Sequence, residues 1–208
     1  MEPIMSSGKK QFTKRGSDFG RNKKQARTNV HASGTKPLIK EESELPGLLK
    51  QTKEPLILVL DCIQDPHNLG ACLRSANGAG VDAVIIPKDR SVPVTQTAIS
   101  VSCGGAIHTP IFRVTNLART LDQLKEHGIC VAGTSDHKGT RNLYEADLTG
   151  PLALVLGSEA KGIRELTMKK CDLLLKIPMA GFVECLNVSV ATGVCLFEVV
   201  RQRQVGAC

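Results

Sequence analysis

Residues Ile177–Arg203 read IPMAGFVECLNVSVATGVCLFEVVRQR. Ile177-Pro178 closes an apolar strand, Ala180-Gly181 turns the chain, and a helix runs from about Leu186. Val190, Val194 and Phe197 share one face of that helix, while Val188, Ala191, Cys195 and Val199 share another. A helix that is apolar nearly all round needs cover on more than one side. With 208 residues in the chain, a second copy is the economical source of that cover, and a homodimer is expected.

Upstream, the same alternation of elements recurs. Leu56 to Leu60 is a continuous apolar run ending in Asp61, the pattern of a strand buried on both faces. After a turn at Asp65-Pro66 a helix is expected with Asn68 as its cap, carrying Leu69, Cys72, Leu73 and Ala76 inward and stopping at Gly80. Further strands are expected at Asp82–Ile86, Thr109–Val114, Ile129–Ala132, Leu152–Leu156 and Leu173–Ile177. Helices are expected at Thr95–Ser102 and around Leu117, Leu121 and Leu124. This order implies an α/β fold with a mainly parallel sheet and helices on both faces.

Charge divides the chain differently. Residues 1–40 hold ten Lys/Arg against two Asp/Glu, although the whole chain carries only +7. Residues 1–50 are therefore expected to be a basic, disordered tail that meets nucleic acid, with the folded domain spanning residues 51–208. The eight cysteines show no C-x-x-C spacing, which speaks against a disulfide scaffold or zinc site and for a reducing, cytoplasmic setting. No run is long and apolar enough for a membrane span, and no cluster has metal-ligand spacing.

Ligands of parallel α/β sheets gather beyond the carboxyl ends of the strands. Three segments there look chemical: DCIQDPHNLGACLRSANGAG at 61–80, LVLGSEAKGI at 154–163, and the stretch quoted above. Taken alone, Arg74 would read as a surface arginine, Asn68 and Glu159 as helix caps, and Ile177 and Leu186 as core. His67 stands beside Asn68 without a spacing that asks for a base. No dinucleotide fingerprint or phosphate-loop motif occurs.

In this order the three segments resemble the motifs of the SpoU (TrmH-like) RNA ribose 2′-O-methyltransferases, within the SPOUT superfamily. The resemblance spans roughly residues 54–203. It implies a carboxyl-terminal trefoil knot, an exception to ordinary chain connectivity. It further implies S-adenosyl-L-methionine as cofactor, held by Thr134, Gly157, Ile177, Met179 and Leu186, and a catalytic set of Asn68, Arg74, Glu159 and Asn187. A guanidinium does not deprotonate in proteins, so Arg74 is expected to hold RNA phosphate and favour the developing alkoxide. The ending VSVATGVCLFEVVRQR is most like the bacterial enzymes that methylate a guanosine ribose in large-subunit ribosomal RNA. Two other readings stand beside that one: a transfer-RNA ribose methyltransferase of the same family, and a catalytically idle RNA-binding factor of ribosome assembly. Ala160 and Cys185, where relatives usually carry Gly and Ser, favour the idle factor; intact Asn68, Arg74, Glu159 and Asn187 favour an enzyme.

Overall fold

Five consecutive apolar residues, Leu56 to Leu60, cannot face water on either side, and the computed structural model buries all of them. It describes residues 36–137, 139–158 and 162–205. In chain order the elements are β1 (Ile39–Lys40), α1 (Leu45–Gln51), β2 (Leu56–Asp61), α2 (Pro66–Gly78), β3 (Ala83–Pro87), α3 (Gln96–Val101), α4 (Gly105–His108), β4 (Ile111–Val114), α5 (Leu117–Glu126), β5 (Cys130–Thr134), β6 (Arg141–Asn142), β7 (Leu152–Gly157), α6 (Glu165–Lys170), β8 (Leu173–Lys176) and α7 (Val188–Val205). The strands form one sheet in the order β1-β4-β3-β2-β7-β5-β8-β6. Every pairing in it is parallel.

The period of two along a strand separates two cores. Leu56, Leu58 and Leu60 join α2, α3 and α7 on one face, with Leu152, Leu154 and Leu156 of β7. Ile57 and Val59 join α1 and α5 on the other, with Ala153 and Val155. Helices thus cover both faces, as the buried runs require. The chain order reverses between β2 and β7, whose ladder runs from Leu56–Leu152 to Asp61–Gly157. That reversal opens a crevice at the carboxyl ends of the central strands.

Two expectations need correction. The folded body starts before residue 51: β1 pairs with β4, and Leu45 and Leu49 of α1 are buried. Leu45, Leu48 and Leu49 have helical spacing, a signal masked by the polar residues around them. Residues 1–35, the rest of the expected basic tail, lie outside the described residues. Asn68 does not cap α2. Asp65 does, its side chain accepting from the His67 N–H at 3.0 Å, with Pro66 starting the helix. Proline suits that position because its missing N–H has no helical partner there. The edge strands β1 and β6, two residues each, were not anticipated.

The last helix buries Val188, Thr192, Cys195, Leu196, Glu198 and Val199. It packs on α2, where Cys72 Sγ and Thr192 Oγ1 share a hydrogen bond of 3.3 Å. At its far end Arg203 donates to the carbonyls of Glu54, Pro55 and Gly150. Gln202 accepts from the Leu148 N–H and donates to the Ala146 carbonyl. These bonds staple α7 to the starts of β2 and β7. Its second face stays open in the single chain, with Val190 and Phe197 each 51% exposed.

Candidate active site

Beyond the ends of β5, β7 and β8 lies a cavity of about 660 Å³. Thr134, Gly157, Ile177, Met179 and Leu186 all line it, so the five residues expected to hold a cofactor share one space. Thr134 sits at the end of β5 and turns its hydroxyl to the Val155 carbonyl, at 3.4 Å. Leu156, Ile163, Met168 and Ala191 add apolar wall, while Ser135, Asp136, His137 and Glu184 add polar groups that sequence reading did not single out. Size and lining suit a small organic ligand with an apolar ring and a polar end.

Gly157 is required by its surroundings. The chain folds back after β7, with Gly162 N–H donating to the Ser158 carbonyl at 2.7 Å. A Cβ on residue 157 would lie 2.0 Å from the Gly162 carbonyl carbon. Only a residue without a side chain lets the returning strand close the cavity there.

A second cavity, about 360 Å³, opens beyond the end of β2. Asn68, Asp65, Arg90 and Arg164 line it, and it shares Ser158, Gly162 and Val188 with the first. The amino ends of α2 and α7 meet beside this shared wall. Asn187 caps α7 by accepting from Ser189 N–H at 2.9 Å, and its amide donates to Asn68 Oδ1 at 3.1 Å. Asn68 and Asn187 are therefore brought together.

The other two catalytic candidates are placed differently. Arg74 is exposed and lines neither cavity; six residues along α2 from Asn68, it is about 9 Å further up the helix axis. Glu159 lies outside the described residues.

The feature that sequence reading missed is the pairing of Asp61 with Arg164. Asp61 is fully buried, and Arg164 reaches it from 103 residues away with Nε at 2.8 Å and Nη2 at 2.7 Å. The Arg164 backbone N–H donates to the other carboxylate oxygen at 3.1 Å. A charge closing an otherwise apolar strand was the available sign of Asp61, but its partner could not be read locally. Next to the pair, burial first and then the Asp61 charge raise the Cys62 thiol above its ordinary pKa. Cys185 lines the larger cavity and is exposed. Among the described residues no group of three or more His, Cys, Asp or Glu could hold a metal ion.

Residues 55–197 match the sequence profile of the SpoU rRNA Methylase family. The chain belongs to this family. As a SpoU methylase it is 59% identical over 163 residues to the 23S rRNA (guanosine-2'-O-)-methyltransferase RlmB of Photorhabdus laumondii, covering 78% of this chain and 66% of that protein. It is 55% identical over 163 residues to RlmB of Escherichia coli, with 78% and 67% covered. The chain thus spans about two thirds of the length of these curated relatives. Among solved structures, the SpoU methyltransferase AviRb from Streptomyces viridochromogenes, in complex with AdoMet, superposes with a TM-score of 0.69. It is 28% identical and covers 74% of this chain and 63% of its own. The TrmH/SpoU tRNA modifying enzyme of A. aeolicus gives a TM-score of 0.68 at 29% identity, covering 80% and 85%. The mainly parallel α/β architecture is common to this SpoU methylase and those neighbours.

Proposed function

We propose that this protein methylates the ribose 2′-hydroxyl of a guanosine in large-subunit ribosomal RNA, using S-adenosyl-L-methionine as donor. The observation that carries the reading is a pair of cavities joined by Ser158, Gly162 and Val188. One has the size and the apolar residues to hold the donor, and the other carries Asn68, Asp65, Arg90 and Arg164 on its wall, side chains that suit a polar acceptor. Relatives named as 23S rRNA guanosine 2'-O-methyltransferases support the substrate class. A neighbour solved with AdoMet supports the donor.

In this reading Ile177, Met179 and Leu186 hold the adenine and aliphatic parts, with backbone groups at Gly157 and Thr134 setting orientation. Bound there, the donor supplies a sulfonium methyl that is electrophilic without help from a metal. The chain's own contribution is alignment and charge. The Asn68 side chain, fixed by Asn187, orients the ribose at the shared wall. Arg74, on the exposed side of α2, holds RNA phosphate, and Glu159 organises the loop after β7.

We further propose that a second copy covers Val190, Val194 and Phe197 of α7, making a homodimer. The segment between β8 and α7 takes the trefoil threading of the family. The protein works in the cytoplasm on its RNA, and the basic residues 1–35 add affinity. The test is transfer of labelled methyl to separated ribosomal and transfer RNA from cells lacking the protein. Label in the large-subunit RNA is expected; label confined to transfer RNA would replace this reading with the transfer-RNA enzyme. Donor binding without transfer to either would favour an assembly factor.

A further inference from the structure

The roles assigned so far leave the buried Asp61 and its partner Arg164 unused. A carboxylate taken out of water is costly unless a well-made ion pair compensates it. Here two N–H donors and an ion-pair contact, all from one residue, do so. The pair fixes the guanidinium while its side chain keeps 35% exposure on the wall of the smaller cavity. Its Nη1 has no hydrogen-bond partner among the described residues. Arg90, exposed on the loop after β3, lines the same cavity.

The backbone around that cavity is held in an unusual state. Cys62 and Arg90 have φ of 62° and 60°, two of the three non-glycine residues with positive φ among those described. Side chains disfavour this region, and it persists where the surroundings over-determine it, often at ligand sites. Asp65, the other charge on the wall, has Oδ1 engaged with the His67 N–H, and the Asp61–Arg164 pair is neutral as a whole. The cavity therefore presents the N–H donors of two guanidinium groups, one of them locked in direction, with the positive charge concentrated at Arg90.

We infer that this cavity is a phosphodiester site, in which Arg164 and Arg90 hold the phosphate next to the ribose to be methylated. Asp61 is the positioning residue that aims Arg164. The inference rests on the reading above that the acceptor is RNA. Guanidinium forks match phosphate oxygens in geometry and charge. A phosphate held here would leave the adjoining ribose at the wall shared with the donor cavity, beside Asn68. Arg164 also follows directly on Gly162 and Ile163, which line the donor cavity, so one short segment serves both ligands.

The test compares wild type with Arg90→Gln, Arg164→Gln and Asp61→Asn in the full chain. RNA affinity is measured across a salt series, together with donor affinity and KM for RNA. Arg90→Gln and Arg164→Gln should each raise KM for RNA about tenfold or more. Each should also lower the slope of log affinity against log salt by about one, with donor Kd within about twofold. Asp61→Asn should reproduce the Arg164→Gln slope, which a purely structural loss would not move. Arg164→Gln and Asp61→Asn strip a buried pair and can fail to fold; the exposed Arg90 side chain makes no hydrogen bond or ion pair among the described residues, so Arg90→Gln decides the matter alone. Unchanged KM and slope in Arg90→Gln would overturn the inference. The slope needs only binding, so a wild type that binds RNA without transferring methyl would sink the proposed activity and still leave this site to be judged. A wild type that binds no RNA would overturn both.

Discussion

Replacing Gly157 by alanine would put a methyl carbon 2.0 Å from the Gly162 carbonyl carbon, 2.1 Å from its oxygen and 2.2 Å from the Ile163 nitrogen. All three are backbone atoms, so no rotamer change relieves the clash. The returning segment must move, yet two hydrogen bonds and a 2.7 Å ion-pair contact between Arg164 and Asp61 anchor it. Overpacking a close contact costs ~1–3 kcal/mol, and the anchored backbone places this site at the upper end. In a chain of this size about 3 kcal/mol corresponds to a Tm lower by roughly 6–12 °C. The same displacement reshapes the wall of the donor cavity, so affinity for S-adenosylmethionine should fall about tenfold, equivalent to ~1.4 kcal/mol. Thermal unfolding and calorimetric titration read the two effects separately. Gly47 in α1 is the control: a Cβ there meets nothing within 4 Å, so Gly47→Ala should hold or raise Tm, by up to ~1 kcal/mol of helix propensity. A Gly157→Ala protein with wild-type Tm and donor affinity would refute the close-approach argument.

Arg74→Ala should abolish methyl transfer and leave donor affinity unchanged, since Arg74 lines neither cavity; lost donor binding would refute its assignment to the RNA side. Arg203→Ala removes three hydrogen bonds to backbone carbonyls and should cost about 1.5–3 kcal/mol, measured by denaturant unfolding. Hydrogen bonds from Arg201, and then Gln202, outweigh desolvation and hold the Glu198 carboxyl below its ordinary value of 4.5; these two side chains, rather than an apolar wall, cover it. Its folded pKa is depressed, so its stabilisation is complete above the unfolded value and disappears as pH falls through the folded one. Glu198→Gln should therefore lower Tm at neutral pH, where the stabilisation is present, and leave Tm near wild type at acid pH, so that the Tm–pH profile is flatter. Alkylation at about pH 8, followed by mass spectrometry, should modify exposed Cys103 and Cys185 first. Cys195 and Cys171, both pushed up to about 12 by burial, should react only on unfolding, and bound S-adenosylmethionine should protect Cys185 but not Cys103.

The architecture was legible where the pattern was local. Leu56 to Leu60, Leu152 to Leu156 and the Leu117, Leu121 and Leu124 stripe each read correctly, because burial on both faces or at helical spacing leaves its mark within a few residues. The cap of α2 was misread: both Asp65 and Asn68 are cap-forming residues, and the proline after Asp65 was the discriminating sign. The folding of Ile39–Gln51 onto the sheet was hidden because the basic tail dominated its composition. At the site, the five donor-cavity residues came through the motif resemblance rather than through periodicity. Ile177 and Leu186 look like plain core without it. The Asp61–Arg164 pair was beyond reach for a physical reason. It joins the ends of non-consecutive elements, and local spacing carries no information about a contact across 103 residues. The meeting of Asn68 with Asn187, across 119 residues, is likewise a contact between distant elements that local spacing does not announce.

The central claim is that the acceptor is a ribose 2′-oxygen seated beside the donor. A fragment of large-subunit RNA that accepts label from S-adenosylmethionine should be compared with the same fragment carrying 2′-deoxyguanosine at the methylated position. The account predicts equal binding of the two and loss of methyl transfer to the deoxy fragment alone. Undiminished transfer to the deoxy fragment would mean that the methyl goes to the base, and would contradict the account.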